Sequence, residues 1–99
     1  MSAIYEVTLR VDSEVLEDFK SWLTPHLRHV VEAGGFFSAT VFKELRSDGA
    51  HVFVCHYVAS SREVIERYIS EKSAPLRQDG LNRFGTRFRA ERRILEAMT

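Results

Sequence analysis

An α+β fold in the order β-α-β-β-α-β, one four-stranded antiparallel sheet with two helices on a single face, is what this 99-residue sequence predicts. Three observations carry the prediction. Tyr5, Val7, Leu9 and Val11 alternate with Glu6, Thr8 and Arg10, the period-two pattern of a half-buried strand. Leu16, Phe19, Leu23, His26 and Val30 recur at spacings of three and four, the stripe of an amphipathic helix. Two β-rich runs, "FFSATVFKEL" and "HVFVCHYVAS", flank "RSDGA", an Asp-Gly turn that sends the chain back antiparallel.

The remaining elements follow in order. Asp12 or Ser13 caps the first helix, and Val15, Trp22, Leu27 and Val31 widen its apolar stripe. Pro25 lies inside that stripe without shifting its phase, which predicts one kinked helix rather than two. Gly34-Gly35 ends it. After the hairpin, Ser60 and Glu63 have the spacing of a capping box, and Val64, Ile65, Tyr68 and Ile69 form the inner face of a second helix. Ala74-Pro75 breaks or kinks that helix, and Gly80 closes the segment. Residues 83–95 then form a final strand rich in arginine. This order is the ferredoxin-like split βαβ pattern. Right-handed crossovers place both helices on one face and leave the other bare.

Composition narrows the function classes. Ninety-nine residues make a single domain, 1–99, able to bury roughly 65% of its unfolded surface, so its core is feasible but thin. A zero net charge supplies no global field for nucleic acid or an anionic membrane. "MSAIYEVTLRVD" lacks the basic-then-apolar form of a secretion signal, and no apolar run reaches the roughly 20 residues of a membrane span. A single cysteine excludes an internal disulfide and fits a reducing compartment. Together these lead us to expect a cytoplasmic protein with neither nucleic acid nor membrane as partner.

The run 51–60 raises the question of a metal or thiol site. Cys55 and His56 are neighbours in a strand and point to opposite faces, and His51 stands roughly 13 Å from Cys55 along it. No CxxC, HxH or HExxH spacing occurs, so no metal or cofactor is expected. The aliphatic company of His56 (Val52, Val54, Val58) marks that face as the helix-covered core, with His56 a core or core-edge residue. The other face then carries His51, Phe53, Cys55 and Tyr57, joined by either Phe36 and Phe42 or Phe37 and Val41. So large an apolar patch predicts a homodimer, sheet against sheet. Thr8, Arg10, Cys55 and Tyr57 among the aromatics suggest a cavity at that interface. Cys55 has no activating neighbour in sequence and is expected to be unreactive.

The stretches "YEVTLRVD", "WLTPHL" and "ERYISEKSAPLRQDGLNRFGTRFRAERRILE" resemble a family of small bacterial proteins known only as a domain of unknown function. The resemblance spans almost the whole chain. It is most specific at Tyr5-x-Val7-Thr8, Trp22 with His26, Glu66-Arg67-Tyr68, Ala74-Pro75, Phe84-Gly85 and Phe88-x-Ala90-x-Arg92. That family is similar to the dimeric α/β-barrel superfamily, which includes antibiotic-biosynthesis-type monooxygenases. The resemblance implies a ferredoxin-like protomer and a dimer with its sheets face to face, but no activity. The superfamily's haem-degrading members share a histidine on the second helix, and Ser61 to Lys72 contains none.

His26, one turn from Trp22 on the first helix, is the candidate catalytic residue: a general base or ligand-orienting donor. The alternative is a histidine at the core margin, bonded to a backbone carbonyl. Trp22 is a core residue or a ligand platform. Arg10 and Tyr57 are expected to point into the interface cavity as a buried pair or a binding pair. Arg87 and Arg89, within the cluster Arg83, Arg87, Arg89, Arg92 and Arg93, are candidates for a small anionic ligand. The other reading of that cluster is a charged edge strand that resists aggregation. Two function classes remain open. One is a homodimeric barrel that binds a small anionic or aromatic molecule, or acts as a cofactor-independent enzyme on a carbonyl or aromatic substrate. The other is a non-catalytic structural or regulatory dimerisation module. A pocket between sheet and helices lined by His26, Tyr57 and arginine would favour the first.

Overall fold

A computed structural model describes residues 2–99. Strand β1 (Ala3–Val11) leads through a short 3-10 turn into helix α1 (Leu16–Gly34). Strands β2 (Ser38–Lys43) and β3 (His51–Ala59) follow as a hairpin. Helices α2 (Arg62–Glu71) and α3 (Ser73–Phe84) come next, and a second 3-10 turn leads into β4 (Phe88–Glu96). The strands form one antiparallel sheet in the order β2-β3-β1-β4, the ferredoxin-like topology expected from the sequence. None of the helices is long and apolar enough to cross a membrane.

α1 is continuous through Pro25, which sits on its exposed side. Proline has no N–H, so the helix loses the bond that the Ser21 carbonyl would accept, and the other turns hold it straight enough to pack. Gly35 takes the left-handed conformation at the C-terminus (φ 68°) and donates its N–H to the Val31 carbonyl.

The second helical segment is two helices rather than one. In a continuous helix the Pro75 ring would collide with the carbonyl of Glu71, four residues back. The chain breaks at Lys72 (φ −125°), and Pro75 sits in the first turn of α3, where its missing N–H costs nothing. The buried Ser73 hydroxyl donates to the Ile69 carbonyl at 2.8 Å, satisfying a group freed by the break. The expected capping box at Ser60 is not formed: Ser61 is the N-cap of α2 and makes no side-chain cap bond. Gly80 does not close the segment but lies buried inside α3, and the last strand begins at Phe88 rather than at residue 83.

The sheet faces are the reverse of those expected for β3. Register pairs Tyr5 with Tyr57, Val7 with Cys55 and Leu9 with Phe53, and all six are buried beneath the helices. Glu6 pairs with His56 and Thr8 with Val54 on the open face. His56 is therefore not a core histidine, and Phe53, Cys55 and Tyr57 are not a bare patch. The physical reason is size. Tyr5, Phe36, Tyr57 and Tyr68 pack with ring centroids 5.4 to 6.3 Å apart, filling the gap between sheet and helices. Short valines could not span it. Of the expected partners in that patch, Phe36 is in the core, Phe37 is 71% exposed, and Phe42 lies on the open face beside His56.

Phe36 also explains Gly34. A Cβ at residue 34 would overlap the Phe36 ring, which is buried in the aromatic cluster and cannot swing away. Gly34→Ala should therefore destabilise the protein by about 1 to 3 kcal/mol despite alanine's better helix propensity. Urea unfolding checks this, with Gly34→Ala expected to lower the midpoint.

Candidate functional site

The site begins with α1. One helical turn separates Trp22 from His26, so their rings stack, with centroids 4.2 Å apart and planes 23° from parallel. The Trp22 indole N–H donates to Asp79 Oδ2 at 2.9 Å, and Arg83 Nε donates to Asp79 Oδ1 at 3.1 Å. α3 thus fixes the indole plane, and the indole fixes the imidazole. Gly80, the residue after Asp79, lets the two helices approach: a Cβ there would lie 3.1 Å from the indole ring and 3.4 Å from Phe88.

Between this helical wall and the sheet runs a cleft. Its polar groups come from His26, Tyr57, Tyr68, Arg77 and Arg92, set among Tyr5, Trp22, Leu76 and Phe88. The cleft encloses ≈ 500 Å³ with its open mouth, but only ≈ 40 Å³ is open to the centre of a water molecule. It is thus a narrow slot that holds a few waters as it stands.

His26 is half-buried and bonds to no other described residue. Every buried side-chain N or O among the described residues has a partner, so the His26 nitrogens reach solvent rather than being sealed in the core; the ring borders both the cleft and an open groove formed with Asp18, Ser21, Pro25 and His29. Burial pushes the imidazole pKa down to about 4, against a weaker upward pull from Asp79. His26 is therefore neutral at physiological pH, with one ring nitrogen free to accept a proton. Desolvation raises Tyr57 well above the usual phenol range, so its hydroxyl stays a donor. Cys55 is buried in the sheet floor of the cleft, its thiol pushed up to about 12 by burial alone.

The structure brings His26, Trp22 and Tyr57 together and separates the arginines expected to join them. Arg10 and Arg89 lie directly opposite each other on the open face, on the far side of the sheet from Tyr57. Arg87 pairs with Glu14 just before β4 begins. The arginine that does line the cleft is Arg92, which shares strand parity with Phe88, Ala90 and Ile94. That parity was available in the sequence. Arg77, on α3, lines the cleft too. The described residues contain no group of three or more histidines, cysteines or acids able to hold a metal.

The open face has its own polar centre. Glu6 accepts from Arg93 Nε at 2.6 Å and bonds His56 Nε2 at 2.8 Å, and is only 9% exposed although no helix covers it. Its carboxyl is held below the usual range, chiefly by the Arg93 hydrogen bond. Ile4, Phe42, Val54, Val58 and Leu95 share this face.

Comparison with known proteins matches residues 2–98 to the family described as Domain of unknown function (DUF4286). The chain belongs to that family. No curated protein matches it. Among solved structures, it is similar to SnoaB, a cofactor-independent oxygenase from Streptomyces nogalater (14% identity, 100% of this chain and 96% of that one, TM-score 0.71). A candidate antibiotic biosynthesis monooxygenase from Deinococcus radiodurans is also similar (13%, 98% and 93%, TM-score 0.74). So is a dimeric ferredoxin-like protein from an uncultured marine organism (11%, 99% and 96%, TM-score 0.72). At these identities the likeness is one of fold. It agrees with the antibiotic-biosynthesis-monooxygenase-like, dimeric α/β-barrel resemblance of the sequence.

Two outcomes follow. Because His26 has a lowered pKa in the folded state, the unfolded chain binds the extra proton first as pH falls. His26 therefore weakens the fold progressively from about pH 6.5 down to about pH 4 and has no effect above that window. The melting-temperature difference between wild type and His26→Leu should shift in favour of the variant across that window and stay flat from pH 7 to 9. Cys55 should label slowly with a thiol reagent in the native protein and at once in denaturant; rapid native labelling would show that the aromatic wall opens.

Proposed function

We propose that this DUF4286 chain is a homodimer, joined through its open sheet face, that binds a small molecule in the cleft between sheet and helices. There a neutral His26 acts without a cofactor on a carbonyl or aromatic substrate. The observation that carries this reading is His26 itself. It is an imidazole stacked on Trp22, whose indole Asp79 anchors, with no partner for its nitrogens among the described residues, at the border of an aromatic slot. In the proposed roles, His26 accepts a proton from the bound molecule, and the Tyr57 hydroxyl donates to its carbonyl oxygen. Trp22 and Tyr68 form the walls that hold a flat ring.

The dimer is supported by the mixed apolar and paired-charge character of the open face, and by the dimeric ferredoxin-like protein of the same fold. A cofactor-independent oxygenase of this fold supports a catalytic rather than a purely structural role. The cleft and the proposed interface lie on opposite sides of the sheet, so association would leave the cleft accessible. A cytoplasmic location is part of the same proposal, supported by the single unpaired cysteine. The narrowness of the slot favours the second reading, a non-catalytic dimerisation module, and the experiments separate the two.

Light scattering at micromolar concentration should give twice the 11.4 kDa chain mass, from an interface of at least about 1,000 Å². A monomeric mass would remove the dimer. For the cleft, melting curves of wild type, His26→Leu and His26→Gln are compared against a library of aromatic carbonyl compounds. Compounds should raise the wild-type melting temperature and bind both variants at least about tenfold more weakly, a loss of about 1.4 kcal/mol. Equal stabilisation of all three would take His26 out of the site. No stabilisation at all would favour the dimerisation module.

A further inference from the structure

Resting on the cleft reading above, we propose that the slot selects arylcarboxylates: its walls, which as they stand admit only a few waters, part to take a flat ring, and Arg77 and Arg92 hold the carboxylate at the mouth. Arg77 comes from α3 and Arg92 from β4, so the two residues line the cleft from its helical and its sheet side, and both are exposed. No acid lines the cleft, and neither arginine has a carboxylate within ion-pair distance among the described residues. Arg83 holds Asp79, Arg87 holds Glu14 and Arg93 holds Glu6, whereas Arg77 and Arg92, like Arg89 on the open face, hold no acid; of these three only Arg77 and Arg92 line the cleft. The cleft thus has two cationic groups at its rim and no acid to meet them, while the rest of its lining is aromatic or aliphatic apart from His26, Cys55, Gly80 and the tyrosine hydroxyls.

Both charges already act on the interior. Arg92 is felt at His26 and Tyr57, and Arg77 and Arg92 together at Tyr68. A guanidinium fork matches the geometry of a carboxylate, and a ring attached to that carboxylate would lie against Tyr68 and the Trp22–His26 stack. Inorganic phosphate would satisfy the arginines alone and leave the aromatic slot empty. A neutral aryl amide would fill the slot and leave the arginines without a partner. An arylcarboxylate does both.

The protein carries its own reporter, since Trp22 is the only tryptophan and lines the cleft. Its fluorescence is titrated with benzoate, benzamide and inorganic phosphate at constant ionic strength. Benzoate should bind at least about tenfold tighter than either of the others. Arg92→Gln and Arg77→Gln should each reduce the preference for benzoate over benzamide at least about threefold, and the double variant should remove it while leaving benzamide affinity unchanged. Arg92→Lys should restore part of it. Because both side chains are exposed at the mouth, the variants should melt as wild type does. If benzoate and benzamide perturb Trp22 with equal affinity, carboxylate selection falls and the cleft reading stands. If benzoate binds tightly but the arginine variants do not weaken it, the proposed fork is wrong. Phosphate binding as tightly as benzoate overturns the role of the ring. Failure of both aryl compounds to perturb Trp22 overturns the inference. Failure of the wider carbonyl library as well overturns the cleft reading beneath it.

Discussion

The register between β1 and β3 is the constraint on which everything else rests. Pairing Tyr5 with Tyr57 places Glu6 opposite His56, and this sorts both central strands into an aromatic face and a polar one. A slip of β3 by one residue against β1 would put His56 under the helices, expose Tyr57 and leave Glu6 without its imidazole partner. Neither outcome is tolerable: an imidazole buried without a partner costs about 1 to 3 kcal/mol, and the aromatic cluster would lose Tyr57. The Glu6–His56–Arg93 group and the Tyr5–Phe36–Tyr57–Tyr68 cluster therefore enforce the same register from opposite sides of one sheet.

That register also assembles the cleft. It sends Tyr57 and Arg92 towards the helices from strands on either side of β1, where Val7 lies opposite Arg92 on β4 and opposite Cys55 on β3. α1 supplies the opposing wall because Trp22 and His26 lie on the edge of its apolar stripe rather than at its centre, half-buried beside the fully buried Phe19 and Leu23. α3 supports that wall through Asp79 and makes room for it through Gly80. A glycine inside a helix costs about 1 kcal/mol relative to alanine. Here it lets the indole come within contact distance of the α3 backbone, which holds the Trp22–His26 stack in place.

The order of strands and helices was legible because it rests on local patterns: alternation in 5–11, the stripe of 16–30, and the Asp-Gly turn before 51. The β3 faces were not. Parity within one strand says which residues share a face but not which face the helices cover, and three valines looked more like a core than two aromatics and a cysteine did. The neighbouring strand decides it. Glu6, Thr8 and Arg10 must avoid the helices, and whichever β3 residues pair with them must do the same. The arginines failed for the same reason. Arg10, Arg87 and Arg89 looked equivalent to Arg92 as charge, and only strand parity, applied to 88–96, separates the one that shares a side with Phe88 and Ile94. Asp79 and Arg77 carried no signal in sequence, since both are polar residues on a helix whose partner face depends on tertiary packing.

Adjacent positions on β4 link the two faces. Arg93 holds Glu6 on the open side, and Arg92 reaches into the cleft on the other. β4 is an edge strand, bonded to β1 alone, so its side chains have one neighbouring strand to hold them in place. In the proposed dimer a second copy covers Glu6 and Arg93, and a charge pair removed from water holds its geometry more tightly than one at a surface. Fixing Arg93 fixes the backbone it shares with Arg92, and so the position of the guanidinium at the cleft mouth. Assembly would then contribute to binding without adding a single residue to the cleft, because in a strand the setting of one side chain constrains the next on the opposite face.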